Sequence, residues 1–221
     1  MPYDGYNVVS PALARNPFSY EKVEQISRDI QTGWLTLDEI TQQLNLFEDE
    51  SQDQFLQGLE LATRMAIEDY LGMAIFPVSY RVYYGSTGIT GTQTFLDLPE
   101  VTPNSQFQSA GVTINSVAYY NGNTPPVLTT IASSNYFYDP TGNKVVLNAV
   151  PSDVNTVMTN PLVVTFTLGA NFYAQYPVIK QAGLMLLTHL YNNRSETTVE
   201  NLKKLPWGVE CLLRPYKPLV M

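Results

Sequence analysis

The sequence predicts an α+β protein in which a small helical bundle is interrupted by an antiparallel β insert. Apolar residues recur at helical spacing before residue 72 and again after residue 176, which indicates helices in both parts of the chain. Between about residues 75 and 170, short runs rich in Val, Thr, Tyr and Phe alternate with turn residues, which is typical of strands. Only six charged residues occur between residues 73 and 175, so we expect the insert to have a nearly neutral, polar surface.

The N-terminal part is predicted to be an extended arm over residues 1–18, followed by a short helix near residues 19–32. The arm is rich in Pro, Asn, Tyr and Gly and shows no periodicity. The helix is indicated by four apolar side chains at helical spacing: Tyr20, Val23, Ile26 and Ile30. Ser19 would cap its first turn and Gly33 would end its last.

Two further helices are predicted near residues 36–46 and 51–71. Thr36 and Glu39 have the spacing of a capping box, and Gly72 would end the longer helix in the left-handed conformation. The longer helix has an apolar stripe formed by Phe55, Leu59, Ala62, Ala66 and Tyr70. A neighbouring stripe widens this face and consists of Leu56, Thr63, Ile67 and Leu71. We expect water to cover the polar side, which carries Gln54, Gln57, Glu60, Arg64 and Glu68.

The β insert, over about residues 75–170, is expected to form an antiparallel sheet, a sandwich or a small barrel. Asn121-Gly-Asn and Asp139-Pro-Thr-Gly-Asn143 have the turn chemistry of hairpins. Seven strands are predicted, at residues 78–84, 94–98, 112–120, 127–131, 136–138, 144–150 and 162–168.

The fourth helix is predicted near residues 176–194, with Pro177 in its first turn. Between residues 182 and 191 it is apolar almost all round, and such a helix has to be buried on every side. In a chain of this size we expect neighbouring subunits to supply part of that cover. The candidates for this subunit interface are Leu184, Met185, Leu187, His189 and Tyr191.

These elements predict four parts. Residues 1–33 form the arm and its short helix, residues 34–74 together with 173–195 form a helical core, residues 75–172 form the β insert domain, and residues 196–221 form an extended C-terminal tail. The tail carries aromatic residues and an arginine among prolines, which are typical anchors of interfaces. The alternative is that this tail folds back on its own domain.

Charge is scarce in this chain and unevenly distributed. Charged residues make up 14% of the sequence and the net charge is −8, whereas ordinary soluble domains contain roughly 25% charged residues. The acidic residues concentrate between residues 38 and 69, and the chain from residue 201 onward is net basic. This asymmetry favours protein–protein contacts between unlike surfaces, and the composition excludes a basic nucleic-acid-binding surface.

Three features of the sequence predict a cytoplasmic protein. The single cysteine, Cys211, fits a reducing compartment. No apolar run reaches the roughly 18 residues that span a bilayer, and the first residues lack the pattern of a secretion signal. We expect the chain to stay in the cytoplasm until it joins a partner.

The sequence contains no catalytic or metal-binding constellation. The only histidine, His189, lies in the most apolar helix, and a hydrolase would need it in a solvent-open pocket. One His and one Cys cannot form a typical zinc site, and the acidic residues 48–53 do not match a calcium loop. The glycines of residues 85–91 lack the Lys-Ser/Thr of a phosphate loop. We therefore predict no enzyme, no metal and no cofactor.

Three groups of residues, in this order, resemble the head-tail connector family of tailed phages, also called adaptor or head-completion proteins. The first is the segment 34–46, and the second is the helix 59–72 that leads into Phe76-Pro-Val. The third comprises Val163-Val-Thr-Phe-Thr-Leu-Gly169, Tyr176-Pro-Val-Ile-Lys-Gln-Ala, His189-Leu-Tyr-Asn-Asn-Arg194, Leu205-Pro-Trp-Gly-Val and Leu212-Leu-Arg-Pro-Tyr216. The resemblance covers roughly residues 34–84 and 161–217.

This resemblance implies a homo-oligomeric ring, usually of twelve subunits, beneath the portal protein in the neck of a virion. Such a ring completes the DNA-filled head, passes the genomic DNA through its channel without sequence-specific binding, and provides the docking surface for a tail or neck (stopper) protein. It is assembled in the cytoplasm of the bacterial host. Because the family's C-terminal tail contacts the portal, the portal-interface candidates here are Leu205, Pro206, Trp207, Leu212, Leu213, Arg214, Pro215, Tyr216 and Lys217.

A different function class stays open at this stage. The N-terminal 33 residues and the long insert exceed the commonest pattern of the family, and the insert is rich in Tyr, Asn and Thr. That composition of the insert also suits a β-rich binding module for carbohydrate or a host surface. That alternative predicts exposed aromatic side chains that line a groove within residues 79–170.

Overall fold

The computed structural model describes residues 20–46, 50–85, 94–99, 111–169, 176–193 and 206–217. It confirms an α+β fold with helices and antiparallel strand pairs. The chain divides into two compact units. The β unit takes its described residues from Met1–Ser27, Val78–Val101 and Val112–Leu168, and the helical unit takes its described residues from Arg28–Pro77, Thr102–Gly111 and Gly169–Met221.

The described strands form two sheets. They are β1 Lys22–Arg28, β2 Val78–Tyr84, β3 Thr94–Asp97, β4 Val112–Tyr120, β5 Leu128–Thr130, β6 Tyr136–Asp139, β7 Lys144–Leu147 and β8 Leu162–Leu168. The larger sheet has the order β1-β2-β8-β4-β5, and the smaller one has the order β3-β7-β6. The seven strands predicted for the insert are confirmed, with small differences at their ends.

The core of the β unit lies where apolar side chains of neighbouring strands meet. In the larger sheet, Val82 of β2 and Val117 of β4 both lie opposite Val164 of β8, and all three are fully buried. Tyr84 is buried beside them, and its hydroxyl donates a hydrogen bond to the Asp97 carbonyl oxygen at 2.7 Å. The ladders satisfy the backbone of these strands, so the core itself can be almost entirely apolar.

The helical unit contains α1 Leu37–Leu44, α2 Asp53–Leu71, α3 Pro177–Asn192 and α4 Trp207–Leu213, with 3₁₀ turns at Glu50–Gln52 and Arg214–Tyr216. The predicted capping box is present: Thr36 Oγ1 accepts from Glu39 N, and Glu39 Oε2 accepts from Thr36 N at 2.9 Å. Gly72 ends α2 with φ 66°. The helices predicted at residues 36–46, 51–71 and 176–194 are therefore confirmed.

A close contact between Trp34 and α3 anchors the helical core. Trp34 is 4% exposed, and it packs onto Gly183, where a Cβ atom would lie only 2.7 Å from the indole ring. The other fully buried members of this core include Leu56, Ile67, Ile179, Ala182 and Leu187. Gly183 is thus needed for the close approach of an aromatic ring, not for a turn.

The helix predicted near residues 19–32 is wrong, because residues 22–28 form the strand β1. Glu21 N donates a backbone hydrogen bond to Tyr83 O at 2.9 Å, and β1 lies beside β2 at the edge of the larger sheet. Of the apolar residues at helical spacing, Ile26 and Ile30 are 42% and 59% exposed. A short isolated helix is only marginally stable, so pairing with the open edge of β2 overrides the local pattern. The predicted arm, residues 1–18, lies outside the described residues.

The prediction of an extended C-terminal tail is also wrong for residues 206–217. Trp207–Leu213 is helical, and Val209 and Leu213 are fully buried in the core of the helical unit. These two residues are four apart, so they share one side of a helix and can be buried together. The alternative of a tail that folds back on its own domain holds for this segment. Residues 194–205 and 218–221 lie outside the described residues.

Candidate assembly interfaces

His189 and Cys211, the residues that could in principle carry chemistry, lie on different helices. His189 is half-buried near the end of α3, where its Nδ1 is 3.4 Å from the side-chain amide nitrogen (Nδ2) of Asn193. That amide also donates to the His189 carbonyl oxygen at 2.8 Å, which is typical of a helix end. Cys211 is exposed on α4. Within the described ranges, no group of three His, Cys, Asp or Glu side chains could hold a metal ion, and no helix is long and apolar enough to cross a membrane.

The charged part of the polar side of α2 lies inside the protein, contrary to the prediction that water covers it, whereas Gln54 and Gln57 are exposed as predicted. Glu60, Arg64 and Glu68 are spaced four residues apart and are between 1% and 5% exposed. Glu60 and Arg64 face the irregular segment 29–36, which lies outside the ladders and helices. Buried backbone groups need hydrogen-bond partners, and Glu60 and Arg64 supply them to this segment while Glu68 supplies one to Ile75.

Each of the three charges binds specific backbone groups. Arg64 Nη1 donates to Thr32 O at 2.7 Å and its Nη2 donates to Asp29 O at 2.8 Å. Glu60 Oε1 accepts from Trp34 N at 2.9 Å. Burial raises the pKa of the Glu60 carboxyl, while the Trp34 N–H and the Arg64 charge oppose that rise.

Glu68 completes this buried arrangement at the other end of α2. Its Oε1 accepts from Ile75 N at 2.6 Å, and its Oε2 binds the guanidinium of Arg28, the first residue of the helical unit. The Arg64 guanidinium also lies 4.8 Å from the centre of the Phe76 ring, as a cation–π contact. The charged side of α2 therefore positions residues 28–36 and 75–76.

Because the charges point inward, an apolar part of α2 faces outward. Gly58 and Ala62 are exposed and Met65 is 42% exposed. Phe55 is 42% exposed at the margin of this surface, where its ring packs near Tyr191. We call Phe55, Gly58, Ala62 and Met65 the outer face of α2. A cleft of about 590 Å³ borders it between α2 and residues 30–40, with Gly58 and Leu61 among its lining residues.

A second outward apolar surface lies on α3 and α4. Val178 and Met185, seven residues apart on one side of α3, are each 37% exposed. Trp207 at the start of α4 is 80% exposed. A Cβ atom at Gly208 would lie 3.2 Å from Met185 Cε, so α4 begins directly beside Met185. We call Val178, Met185 and Trp207 the outer face of α3 and α4.

The five subunit-interface candidates differ in how much surface they offer. Met185 is exposed, whereas Leu184, His189 and Tyr191 are half-buried. Leu187 is fully buried among residues of its own chain, so it has no surface for a partner in this conformation. The near-complete apolar character of α3 is thus explained largely by packing within one chain.

The portal-interface candidates are divided in the same way. Trp207, Arg214, Pro215 and Lys217 are exposed, while Pro206, Leu212 and Tyr216 are half-buried. Leu213 is fully buried in the helical core and is not available to a partner, and Leu205 lies outside the described residues. Tyr216 packs edge-on against Tyr176, and the Lys217 ammonium lies 4.8 Å from the centre of the Tyr70 ring.

The β unit has an aromatic surface of its own on the smaller sheet. Phe95 of β3 and Phe137 of β6 both lie opposite Val146 of β7, and they are 53% and 51% exposed while Val146 is 3% exposed. The next row across the same strands consists of Asp97, Lys144 and Asp139, with Lys144 Nζ 2.8 Å from Asp97 Oδ1. The two rings thus lie on a sheet face, one on either side of a buried valine.

The outer face of α2 was not predicted from the sequence. The helix has two apolar stripes, and the structure buries the second one, formed by Leu56, Thr63, Ile67 and Leu71. A signal was available in the alternating charges of Glu60, Arg64 and Glu68, because oppositely charged residues four apart can neutralise one another. Such a set can be buried where it also finds backbone partners.

Comparison with known proteins identifies the fold. No protein-family model matches the chain, and no curated protein sequence matches it. Among solved structures, a chain from the virion of a native gene transfer agent particle is similar with a TM-score of 0.59 and 18% identity, covering 91% of this chain and 97% of that chain.

Two structures of the neck of that kind of particle are also similar. A chain from the neck of the empty particle, computed with C6 symmetry, has a TM-score of 0.59 and 18% identity. A chain from the neck of the native particle, computed with C12 symmetry, has a TM-score of 0.53 and 16% identity. Both cover 91% of this chain and 97% of the other. The chain therefore has the fold of gene transfer agent neck chains, consistent with the resemblance to head-tail connectors.

Proposed function

We propose that this chain is a structural neck protein of a phage-like particle, without catalytic activity. It acts there as the adaptor that joins the head to the tail. The observation that supports this proposal is the extent of the fold match, which spans 91% of this chain and 97% of a neck chain. A match of that extent includes most of both units.

The adaptor role has three parts. Copies of the chain form a ring, with twelve as the expected number, and this ring lies beneath the portal protein and around the passing genomic DNA. It completes the DNA-filled head and offers a docking surface to a tail or stopper protein. The C12 and C6 symmetries of the similar neck structures support a ring, and the net charge of −8 suits a channel that does not hold DNA.

For the portal contact we propose the end of the described chain, Pro215, Tyr216 and Lys217. These residues follow α4 and keep surface that the helical core does not use. Deleting the whole segment 206–217 would be a poor test, because it would remove Val209 and Leu213 from the core. Substituting exposed residues leaves that core intact.

Light scattering coupled to size exclusion tests this function. The purified chain is measured alone and mixed with the portal protein of its own particle. We expect a ring, or a ring that forms on the portal, and we expect Lys217→Glu to weaken the portal complex at least tenfold. Lys22→Glu, at an exposed lysine of the β unit, is the matched control. The proposal would be contradicted if the chain is monomeric alone and, in the mixture, is still monomeric and does not bind the portal protein.

One observation favours a second candidate function, a binding module for carbohydrate. The two exposed phenyl rings of Phe95 and Phe137 lie beside a row of two carboxylates and a lysine on the smaller sheet, and aromatic faces with hydrogen-bonding groups can bind sugar rings. Isothermal titration with oligosaccharides of bacterial surfaces tests it. Saturable binding that is lost in Phe95→Ala and Phe137→Ala would support this function, and no binding by the wild-type chain would exclude it for the sugars used.

A further inference from the structure

The cleft between α2 and residues 30–40 has an aliphatic wall and a single carboxylate. Leu35, Ile40 and Leu61 belong to the wall, and Glu60 is the charged group among the lining residues that the structure describes. The volume of about 590 Å³ lies within the range of roughly 300–1,000 Å³ that is typical of ligand sites. Such sites combine apolar walls with a few polar groups that fix the orientation of the ligand.

The Glu60 carboxylate is incompletely compensated within its own chain. It is 4% exposed, and the hydrogen bonds that it accepts from Trp34 N at 2.9 Å and Leu35 N at 3.4 Å both end at Oε1. The Arg64 guanidinium donates to two backbone carbonyl groups instead of to Glu60. Among the described residues, Oε2 has no hydrogen-bond donor, so it is the oxygen available to a ligand. Burial accordingly outweighs the compensating groups and raises the pKa of Glu60.

The charges around the cleft also favour a cationic ligand. The described residues between 28 and 71 include eight carboxylates and two arginines, and both arginines bind groups of their own chain. The first turn of α1 borders the cleft, but Asp38 and Glu39 in that turn offset the positive end of the helix. A positive charge that enters the cleft therefore meets an acidic surrounding.

We propose that this cleft binds a lysine side chain that a different protein presents. The long apolar stem of lysine can lie along the wall formed by Leu35 and Leu61, while its ammonium donates to Glu60 Oε2. Gln54 and Gln57 line the cleft and are exposed. Their amide groups can both donate and accept, so they can bind the backbone of the segment that carries the lysine.

The free oxygen of Glu60 favours lysine over arginine. Arginine binds a carboxylate best through two parallel hydrogen bonds, one to each oxygen. In Glu60, Oε1 already accepts from two backbone N–H groups, which leaves a single oxygen for the ligand. An ammonium is a point charge that can bind one oxygen.

A different protein is the expected source of this lysine, because the lysines that the structure describes already contact their own chain. Lys22, Lys144 and Lys180 form ion pairs with Glu24, Asp97 and Glu39, and Lys217 lies over the Tyr70 ring. The inference goes beyond the proposed neck function and does not depend on ring formation.

Saturation-transfer difference NMR on the full chain tests the site, with the blocked peptide acetyl-Ala-Lys-Ala-amide as the probe. The same peptide with an acetylated lysine amine keeps the stem and loses the charge. Glu60→Gln removes the carboxylate charge. Gly58→Leu fills the cleft from a position where a Cβ atom meets no other atom within 4 Å, and it keeps Glu60 intact. Glu210→Gln, at an exposed carboxylate of α4, is the matched control, and circular dichroism establishes that each variant is folded.

We expect the wild-type chain and Glu210→Gln to bind the lysine peptide at least tenfold more tightly than its acetylated form. Glu60→Gln and Gly58→Leu should each bind the lysine peptide at least tenfold more weakly than wild type. Equal binding of the two peptides by wild type would contradict the role of Glu60. Equal binding by wild type and Gly58→Leu would place the lysine outside the cleft, and no binding by wild type would overturn the site.

A second probe tests the source of the lysine. It is the peptide of residues 200–205, which contains Lys203 and Lys204. We expect it to bind no more tightly than the tripeptide. Binding at least tenfold tighter, and lost in both Glu60→Gln and Gly58→Leu, would identify another copy of this chain as the source and overturn the assignment to a different protein. None of these measurements involves ring assembly or portal protein, so their failure leaves the proposed neck function in place.

Discussion

The helical unit and the β unit satisfy their buried polar groups in different ways. The β unit binds its backbone groups to one another in two sheets, and its core cluster consists of side chains such as Val82, Val164 and Phe166. In the helical unit, the segment 29–36 runs over α2 without a ladder, and Glu60 and Arg64 of that helix bind its backbone. Glu68 binds the Arg28 side chain and the Ile75 N–H. Stability should therefore depend on a few charged groups in one unit and on distributed backbone pairing in the other.

The largest effect is expected for Arg64→Ala, which tests the dependence on charge. The substitution removes the hydrogen bonds to the carbonyl oxygens of Asp29 and Thr32. It also leaves the buried carboxylates of Glu60 and Glu68 without this positive charge. Removing one partner of a buried ionic group costs about 3–5 kcal/mol, which urea unfolding followed by circular dichroism can measure.

Arg81→Ala is the matched control for that measurement. Arg81 is a half-buried arginine on β2, and substitutions away from buried networks usually change stability by less than about 0.5 kcal/mol. Equal losses for the two variants would remove the distinction between the units. Arg64→Lys should also be destabilising, because lysine cannot reach two separate carbonyl groups with a planar fork.

A smaller effect is expected for Gly183→Ala, which tests how closely Trp34 packs on α3. The new methyl group would lie 2.7 Å from the indole ring, so the ring or the helix has to shift. Overpacking of this kind costs about 1–3 kcal/mol.

Gly58→Ala is expected to stabilise the chain instead. Its Cβ meets no atom within 4 Å, and alanine favours a helix by about 1 kcal/mol over glycine. Thermal unfolding of the two variants should give shifts of opposite sign.

Both units contain parts that the sequence predicted and parts that it did not. Strands β2, β4 and β8 begin and end where the residue pattern predicts, because alternation and turn residues are local signals. Whether residues 22–28 form a helix or a strand depends on the open edge of β2, which cannot be read from the local sequence pattern. The orientation of α2 depended on the segment 28–36, whose need for hydrogen bonds appears only when the chain is folded.

The predicted interfaces show the same limit. Trp207 and Met185 could be identified as interface candidates from residue type and position, and both are exposed. Leu187 and Leu213 have the same apolar character in the sequence, yet both are fully buried in their own chain. Residue type alone does not distinguish an apolar side chain that binds a partner from one that fills the core.

A moderate effect is expected in the β unit for Tyr84→Phe. Burial holds the pKa of the Tyr84 phenol well above its usual range, so its hydroxyl remains a donor to the Asp97 carbonyl oxygen. The variant keeps the ring and removes the hydrogen bond that this carbonyl accepts from the hydroxyl, which costs about 1–2 kcal/mol. Tyr120→Phe, at a half-buried tyrosine on β4, is the control and should change urea unfolding little. A loss for Tyr84→Phe as large as that for Arg64→Ala would contradict the idea that the β unit distributes its stability.

The smallest effect is a change in the pH dependence of stability for Glu60→Gln. Burial raises the pKa of Glu60 in the folded chain above its value of 4.5 in the unfolded chain. The contribution of this group to stability is therefore fully present below pH 4.5 and is lost as the pH rises through the folded pKa. The difference in unfolding free energy between wild type and Glu60→Gln should shift in favour of wild type as the pH falls from 7 towards 4.5.

Glu39→Gln gives the opposite slope and so serves as the internal control. Burial would raise the pKa of Glu39, but the Lys180 ammonium and the Thr36 N–H hold it below its ordinary value. Its contribution is present above pH 4.5 and is lost as the pH falls through the lower folded value. Urea unfolding at several pH values between 3 and 7 measures both differences. Parallel slopes for the two variants would contradict this prediction, because they would mean that the Trp34 N–H and the Arg64 charge outweigh burial and lower the pKa of Glu60.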